Sequence, residues 1–155
     1  MNIFVLDRDP KLASQYHNDR HVVKMILESV QLLSTAHRIN GYDEGYKMTH
    51  KNHPCSVWVR ESQSNYHWLV DLVNELHKEW QYRFDHAHNH KSYDVMRSLS
   101  SPNFLPNIGL TPFAIATAED CRFDDPVKSY RSYYKNHKTH LFKWTKREIP
   151  SWIIM

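Results

Sequence analysis

Glycine, cysteine and long apolar runs are all scarce in this chain of 155 residues. Its three glycines are too few for a glycine-rich phosphate loop or for a β-sandwich with many tight turns. The two cysteines, Cys55 and Cys121, are far apart in the sequence and show no CxxC spacing, so we expect two reduced thiols.

Segments that would direct the chain to a membrane are also missing. No apolar run approaches the roughly 18 residues of a membrane span. Charges at positions 7–9 interrupt the apolar start too early for a signal peptide. We therefore expect a cytoplasmic protein without a membrane partner, working in the host cytoplasm if a phage encodes it.

Common catalytic motifs are absent too, since the sequence contains no P-loop, no serine nucleophile elbow and no HExxH zinc motif. Three alternating histidines in residues 85–90 (DHAHNH) are the one candidate set of metal ligands, but no cysteine or carboxylate completes a recognisable site. We predict neither a metal nor a cofactor.

The composition is that of an ordinary globular protein, with 41% hydrophobic and 24% charged residues. A domain usually has roughly 100–150 residues, so residues 1–155 are predicted to form a single domain. Apolar residues recur at helical spacing. The sequence therefore predicts a compact all-α domain with two long helices, a basic C-terminal helix and irregular connecting segments.

Capping residues and prolines predict where the helices begin and end. The first long helix is predicted from Asp19, as its N-cap, to about residue 38. The second is predicted from Pro54 to about residue 84, a length of roughly 45 Å. A short helix is predicted over residues 92–99, and a last helix from the N-cap Asp125 to about residue 140. Residues 2–6 form a short strand or a buried arm, and residues 9–10 a turn.

A polar stripe follows one side of the first long helix. His21, Lys24, Glu28 and Gln31 are spaced three, four and three residues apart, so they lie on nearly one line. The stripe is either an exposed face with a Lys24–Glu28 pair or the floor of a cleft. In a cleft, Glu28 can move protons or stabilise a cationic transition state.

A basic segment spans residues 127–147 and contains no acidic residue. Its cations are Lys128, Arg131, Lys135, Lys138, Lys143, Lys146 and Arg147, and five Tyr, Phe or Trp residues are interleaved with them. A row of cations with flat rings suits a phosphate backbone and stacked bases. The alternative is that the rings face the core and the cations are merely solvated.

Several short motifs resemble the phage pyrimidine-dimer DNA glycosylase family, the endonuclease V type of repair enzyme. They are the tetrapeptide at 12–15 (LASQ), the helix containing Glu28, the His53-Pro54 start of the second helix, the YRSYYK run at 130–135 and Pro150-Ser151-Trp152. The chain is also similar to small tailed-phage proteins that carry HVVKMILE-type helices and a TPFA segment.

The resemblance implies an all-α enzyme that expels a base from DNA and cleaves its glycosidic bond without a metal. In that family the N-terminal amine forms a Schiff base with the sugar, a helix glutamate assists, and β-elimination follows. The amine here would belong to Met1, or to Asn2 if Met1 is removed, and the glutamate would be Glu28. His21 and Lys24 would orient Glu28 or hold a phosphate. Contact with double-stranded DNA is predicted for Arg20, His53, Arg60, Tyr134 and the seven cations of the basic segment.

Two alternatives to a DNA glycosylase, possibly with lyase activity, stay open. One is an enzyme on the same scaffold that acts on modified nucleotides. The other is a phage protein that binds nucleic acid without catalysis. The sequence predicts neither the base that is recognised nor an oligomeric state.

Overall fold

A computed structural model describes residues 1–154, and over these residues the fold is all-α. The α-helices are α1 (Pro10–Tyr16), α2 (Asp19–Ile39), α3 (Pro54–Val59), α4 (Gln63–Phe84), α5 (Lys91–Ser98) and α6 (Pro126–His137). Single turns of 3-10 helix lie at Glu119–Cys121, Thr139–Leu141 and Ser151–Ile153. The predicted fold class is confirmed, and no helix within residues 1–154 is long and apolar enough to cross a membrane.

The two long helices pack against each other and form the centre of the core. The core residues that they contribute include Ile26, Leu32, Leu33, Leu69, Leu72 and Leu76, each at most 1% exposed. Burying one such side chain contributes about 1.5–3 kcal/mol. Because α3 and α5 also pack on α2, most of the circumference of α2 is buried.

Helix α2 ends within one residue of its predicted boundary, but its N-cap is Asn18 rather than Asp19. The Asn18 side chain accepts a hydrogen bond from the backbone N–H of His21 at 2.9 Å. The carboxylate of Asp19 instead accepts hydrogen bonds from Thr145 and Arg83, which come from distant parts of the chain.

The predicted second long helix is wrong as a single element, because the chain breaks it after Val59. Pro54 does begin α3, but the hydroxyl of Ser62 accepts a hydrogen bond from the backbone N–H of Asn65 and starts a new helix, α4. With 22 residues, α4 is about 33 Å long instead of 45 Å.

The first residues of the chain form a buried arm rather than a strand. Residues 2–6 are buried and have no regular secondary structure. The ring of Phe4 stacks on His21 of α2 and also contacts Tyr134 of α6, so the arm lies between these two helices. Beyond it, Asp9-Pro10 does not form an isolated turn but caps and begins α1.

The last helix begins as predicted, with Asp125 accepting a hydrogen bond from the backbone N–H of Val127. It ends at His137, and a 3-10 turn occupies the last residues that were predicted to be α-helical. Helix α5 matches its prediction to within one residue at each end.

Candidate active site

The N-terminal amine and Glu28 meet on the side of α2 that the arm covers. The Met1 nitrogen lies 3.2 Å from Oε1 of Glu28, whose side chain is 10% exposed. The second carboxylate oxygen, Oε2, is buried without a hydrogen-bond donor and lies 3.6 Å from Nζ of Lys24. Because the Lys24 side chain is 61% exposed, it places a positive charge at the outer edge of this contact.

His21 lies on the same side of α2 and is held between the arm and α6. Its Nδ1 is hydrogen-bonded to the Tyr134 hydroxyl at 2.6 Å, and its ring stacks on Phe4 with 4.3 Å between the centroids. Burial is the main reason that the pKa of His21 is lowered to about 2, with smaller contributions from His17 and from the positive charge of Lys138. The imidazole is therefore neutral at physiological pH.

A cavity of about 130 Å³ opens onto the amine and the carboxylate. It is lined by Met1, Asn2, Phe4, His21, Lys24, Met25, Glu28, Tyr133 and Lys138. A second cavity of about 420 Å³ shares His21, Lys24 and Lys138 with it and adds Arg20, His140 and Leu141. The two cavities together combine a carboxylate and an amine with several cations, and the cations favour an anionic ligand.

His53 is placed beside this site by the start of α3. Its Nδ1 accepts a hydrogen bond from the backbone N–H of Cys55 and so serves as the N-cap of α3. Burial lowers the pKa of His53, the charge of the N-terminal amine lowers it further, and Glu28 acts in the opposite direction. The charges of the N-terminal amine and of Glu28 therefore both affect the pKa of His53.

The structure brings together part of the predicted DNA-binding set. Arg20 and Lys138 of that set meet at the second cavity, next to Lys24, which was predicted as a catalytic-site residue. Sequence reasoning missed Tyr133 and His140 beside them. Lys128 and Lys135 are exposed on α6 along a separate groove of about 620 Å³, and Lys143 is also exposed. Contact with DNA by these residues remains a prediction.

Other members of that set are bonded inside the fold. Arg131 donates to the carbonyl oxygen of Leu6 at 2.8 Å, and Arg147 donates to Glu79 at 2.6 Å. Tyr134 is fully buried, which leaves no face of its ring for a base.

Lys146 and Arg60 are also held by intramolecular partners. The Lys146 ammonium is paired with Asp85 at 2.5 Å. Arg60 donates to the carbonyl oxygen of Lys51 at 2.7 Å, which fastens the loop before α3. These contacts join segments that are far apart in sequence or lie in loops, so the sequence pattern does not reveal them.

The alternating histidines of residues 85–90 are occupied by aromatic and capping contacts. His86 stacks on Trp80 at 3.9 Å, and His90 accepts a hydrogen bond from the backbone N–H of Ser92. Within the described part of the chain, Asp120, Cys121 and His137 are the three side chains close enough to share a metal ion. The Nε2 atom of His137 already lies 3.0 Å from a carboxylate oxygen of Asp120 there.

The model of the pyrimidine dimer DNA glycosylase family matches residues 1–92, more than half of the chain. The chain belongs to this family. Comparison with curated proteins and with solved structures gives no match. The matched part of this pyrimidine dimer DNA glycosylase family member contains Met1, Glu28, His53 and helices α1 to α4, and the basic segment follows it. The expected membership of a family of DNA-acting enzymes is therefore confirmed.

Proposed function

We propose that this protein excises a damaged or modified base from double-stranded DNA, with its N-terminal amine as the nucleophile and Glu28 as the proton-transferring group. The single observation that carries the proposal is the 3.2 Å contact between the Met1 nitrogen and a buried carboxylate at a cavity lined by cations. Family membership supplies DNA as the substrate.

Base excision begins with the neutral amine and a nucleotide flipped out of the duplex. The lone pair of the amine forms a bond to C1′, and the glycosidic bond breaks with its electron pair passing to the base. The sugar ring then opens between C1′ and O4′, which leaves a protonated imine between the amine and C1′. One proton from solution and one from the amine go to the base and to O4′.

Glu28 is suited to the proton transfers of this sequence. One of its oxygens contacts the amine, and the other is buried without a donor, so it can accept a proton from the amine and pass it to O4′. Its negative charge also stabilises the positive charge that develops on the sugar, an effect strengthened by the low local dielectric.

The imine also makes strand cleavage possible. Removal of a proton from C2′ breaks the bond between C3′ and its phosphate oxygen, with the electron pair leaving on the phosphate. Arg20, Lys24 and Lys138 around the second cavity supply positive charge for the phosphates next to the attacked sugar. Lyase activity is therefore part of the proposal.

Borohydride trapping tests the mechanism, because borohydride reduces the imine to a stable amine. The wild-type protein should form a covalent adduct with a duplex that carries an abasic site and, more slowly, with a duplex that carries a pyrimidine dimer. Glu28→Gln should slow adduct formation by about 100-fold or more while duplex binding persists.

Glu75→Gln is the matched control, since it makes the same chemical change on α4, where Glu75 lines a different cavity. It should trap like the wild type. Absence of an adduct with either duplex would contradict the proposal. Base release from mononucleotides alone would favour the nucleotide-acting enzyme, and salt-dependent binding without any chemistry would favour a non-catalytic binder.

A further inference from the structure

We infer that the nucleophilic amine is that of the unprocessed Met1 and that Asn2 is a positioning residue that holds it at Glu28. This inference rests on the proposed function and deepens it. It concerns which of two possible first residues carries the amine and what fixes that residue in place.

The side chain of Met1 packs into the folded protein. It is 4% exposed and packs against the hydrophobic core, whereas the residue as a whole is only half-buried. The accessible part of Met1 is therefore its main chain, which includes the amine. An anchored side chain with an open amine is the arrangement that a terminal nucleophile needs.

Asn2, the next residue, is held in place by the hydrogen bonds of its own side chain. The Oδ1 atom of Asn2 lies 3.0 Å from the Tyr130 hydroxyl and accepts the backbone N–H of Ile3 at 2.8 Å. Its Nδ2 donates to the carbonyl oxygen of Ala116 at 2.9 Å. The Cys55 thiol also lies within hydrogen-bond distance, at 3.5 Å from Oδ1.

These hydrogen bonds fix the backbone nitrogen of Asn2, which would be the terminal amine of a chain without Met1. If Met1 were removed, the amine would move back to the nitrogen of Asn2, one residue and roughly 3–4 Å away. A shift of that size breaks a hydrogen bond, so the amine of Asn2 would no longer be hydrogen-bonded to Glu28. Enzymatic removal of an initiator methionine also favours a smaller second residue than asparagine.

Mass spectrometry gives the first test. The intact protein should retain Met1, and the reduced adduct with an abasic duplex should map to the α-nitrogen of Met1 after digestion. An adduct on Asn2 or on a lysine side chain would overturn the inference, although it would still show that the protein forms an imine with the duplex. No adduct in any form would instead count against the proposed function.

Moving the amine gives the second test. A chain released from a fusion so that it begins at Asn2 should form the adduct about 100-fold more slowly, since a displacement of a few ångströms misaligns the attack. A chain with Ala inserted between Met1 and Asn2, from which the initiator methionine is removed, presents an amine at the original place without the packed Met1 side chain. It should react faster than the Asn2-first chain and more slowly than the wild type. Equal rates for the Asn2-first chain and the wild type would refute the role of Met1.

Asn2→Asp tests the positioning role, because it keeps the size of the side chain but replaces the donor to Ala116 by an oxygen. We expect adduct formation to slow about tenfold at saturating duplex, with the dissociation constant for the duplex unchanged. The control is Val5→Ala, in the same buried arm, which disturbs packing but removes no hydrogen-bond partner of the Asn2 side chain. If both variants slow the reaction equally, Asn2 is only structural.

Discussion

His17 and His21 are buried in the neutral form, and the rings of both contact Phe4 of the arm that carries the N-terminus. Burial lowers the pKa of His17 to about 4, and that of His21 to about 2, from an ordinary value of 6.5. Burial also lowers the pKa of His37, His77 and His90. The unfolded chain therefore binds more protons than the folded chain at mildly acidic pH.

We predict that the free energy of unfolding has its full value above pH 6.5 and decreases as the pH falls from 6.5 towards 4, because the unfolded chain then takes up protons that buried His17 and His21 do not. His17 and His21 each lower it by up to about 1.4 kcal/mol per pH unit in that window. Urea unfolding at pH 6.5, 5.5 and 4.5 measures the slope. His21→Gln should make it shallower, whereas the exposed control His67→Gln should not. An unchanged slope in His21→Gln would contradict the prediction.

The polar stripe shows how far single residues can be predicted from sequence. The spacing correctly aligned His21, Lys24 and Glu28, but it left open whether they faced a cleft or solvent. In the structure Glu28 is buried and Lys24 is exposed, because residues 2–6 pack over one side of the stripe. That contact joins segments about twenty residues apart, which helical periodicity does not describe.

The break between α3 and α4 illustrates the same limit for elements. Trp58 and Asn65 are seven residues apart and both buried, so the apolar period continues across the break. Asn65 even donates to the carbonyl oxygen of Trp58 at 2.8 Å. Ser62 carried the signal for a new helix, because its hydroxyl can cap α4. Pro54 and the cap Asp125, in contrast, correctly predicted where α3 and α6 begin, because local chemistry decides those two starts.

The capping role of Ser62 gives a prediction for this element. Ser62→Ala should destabilise the protein by about 1 kcal/mol, since the backbone N–H of Asn65 loses its acceptor in a buried position. Urea unfolding measures the change. Ser64→Ala, in the same first turn but without a capping bond, should shift the midpoint much less, and equal shifts would contradict the assignment.

Arg83 connects several parts of the whole molecule from a fully buried position. Its guanidinium donates to the carbonyl oxygens of Gln15 and His17 in and after α1, at 2.9 and 2.7 Å. It also pairs with Asp19 of α2 and with Glu79 of α4. Because Glu79 in turn binds Arg147, this network joins the family-matched part of the chain to the basic segment.

We predict that Arg83→Met lowers the free energy of unfolding by about 3–5 kcal/mol, since it removes the buried cation that pairs with Asp19 and Glu79 and the donor to two carbonyl groups. The exposed Arg97→Met should change it by less than about 0.5 kcal/mol. Chemical denaturation of both variants provides the measurement. A small effect of Arg83→Met would mean that the network is dispensable.

The charge distribution of the whole molecule gives a prediction for DNA binding. Lys138 faces both cavities, whereas the Lys146 ammonium is held by Asp85 and by the carbonyl oxygen of Tyr82. Lys138→Gln should therefore lower the slope of log K against log salt for duplex binding by about 1. Lys146→Gln should leave that slope unchanged. Equal slopes in both variants would exclude a phosphate contact by Lys138.

The enclosed beginning of the chain has a practical consequence for anyone producing this protein. Under the proposed mechanism, an affinity tag on the first residue would convert the amine into an amide next to Glu28, so a tagged preparation is expected to bind DNA without forming an adduct. Ile154 is 79% exposed, so we expect a tag placed after it to leave the core intact. Assays should therefore use a chain whose start is free.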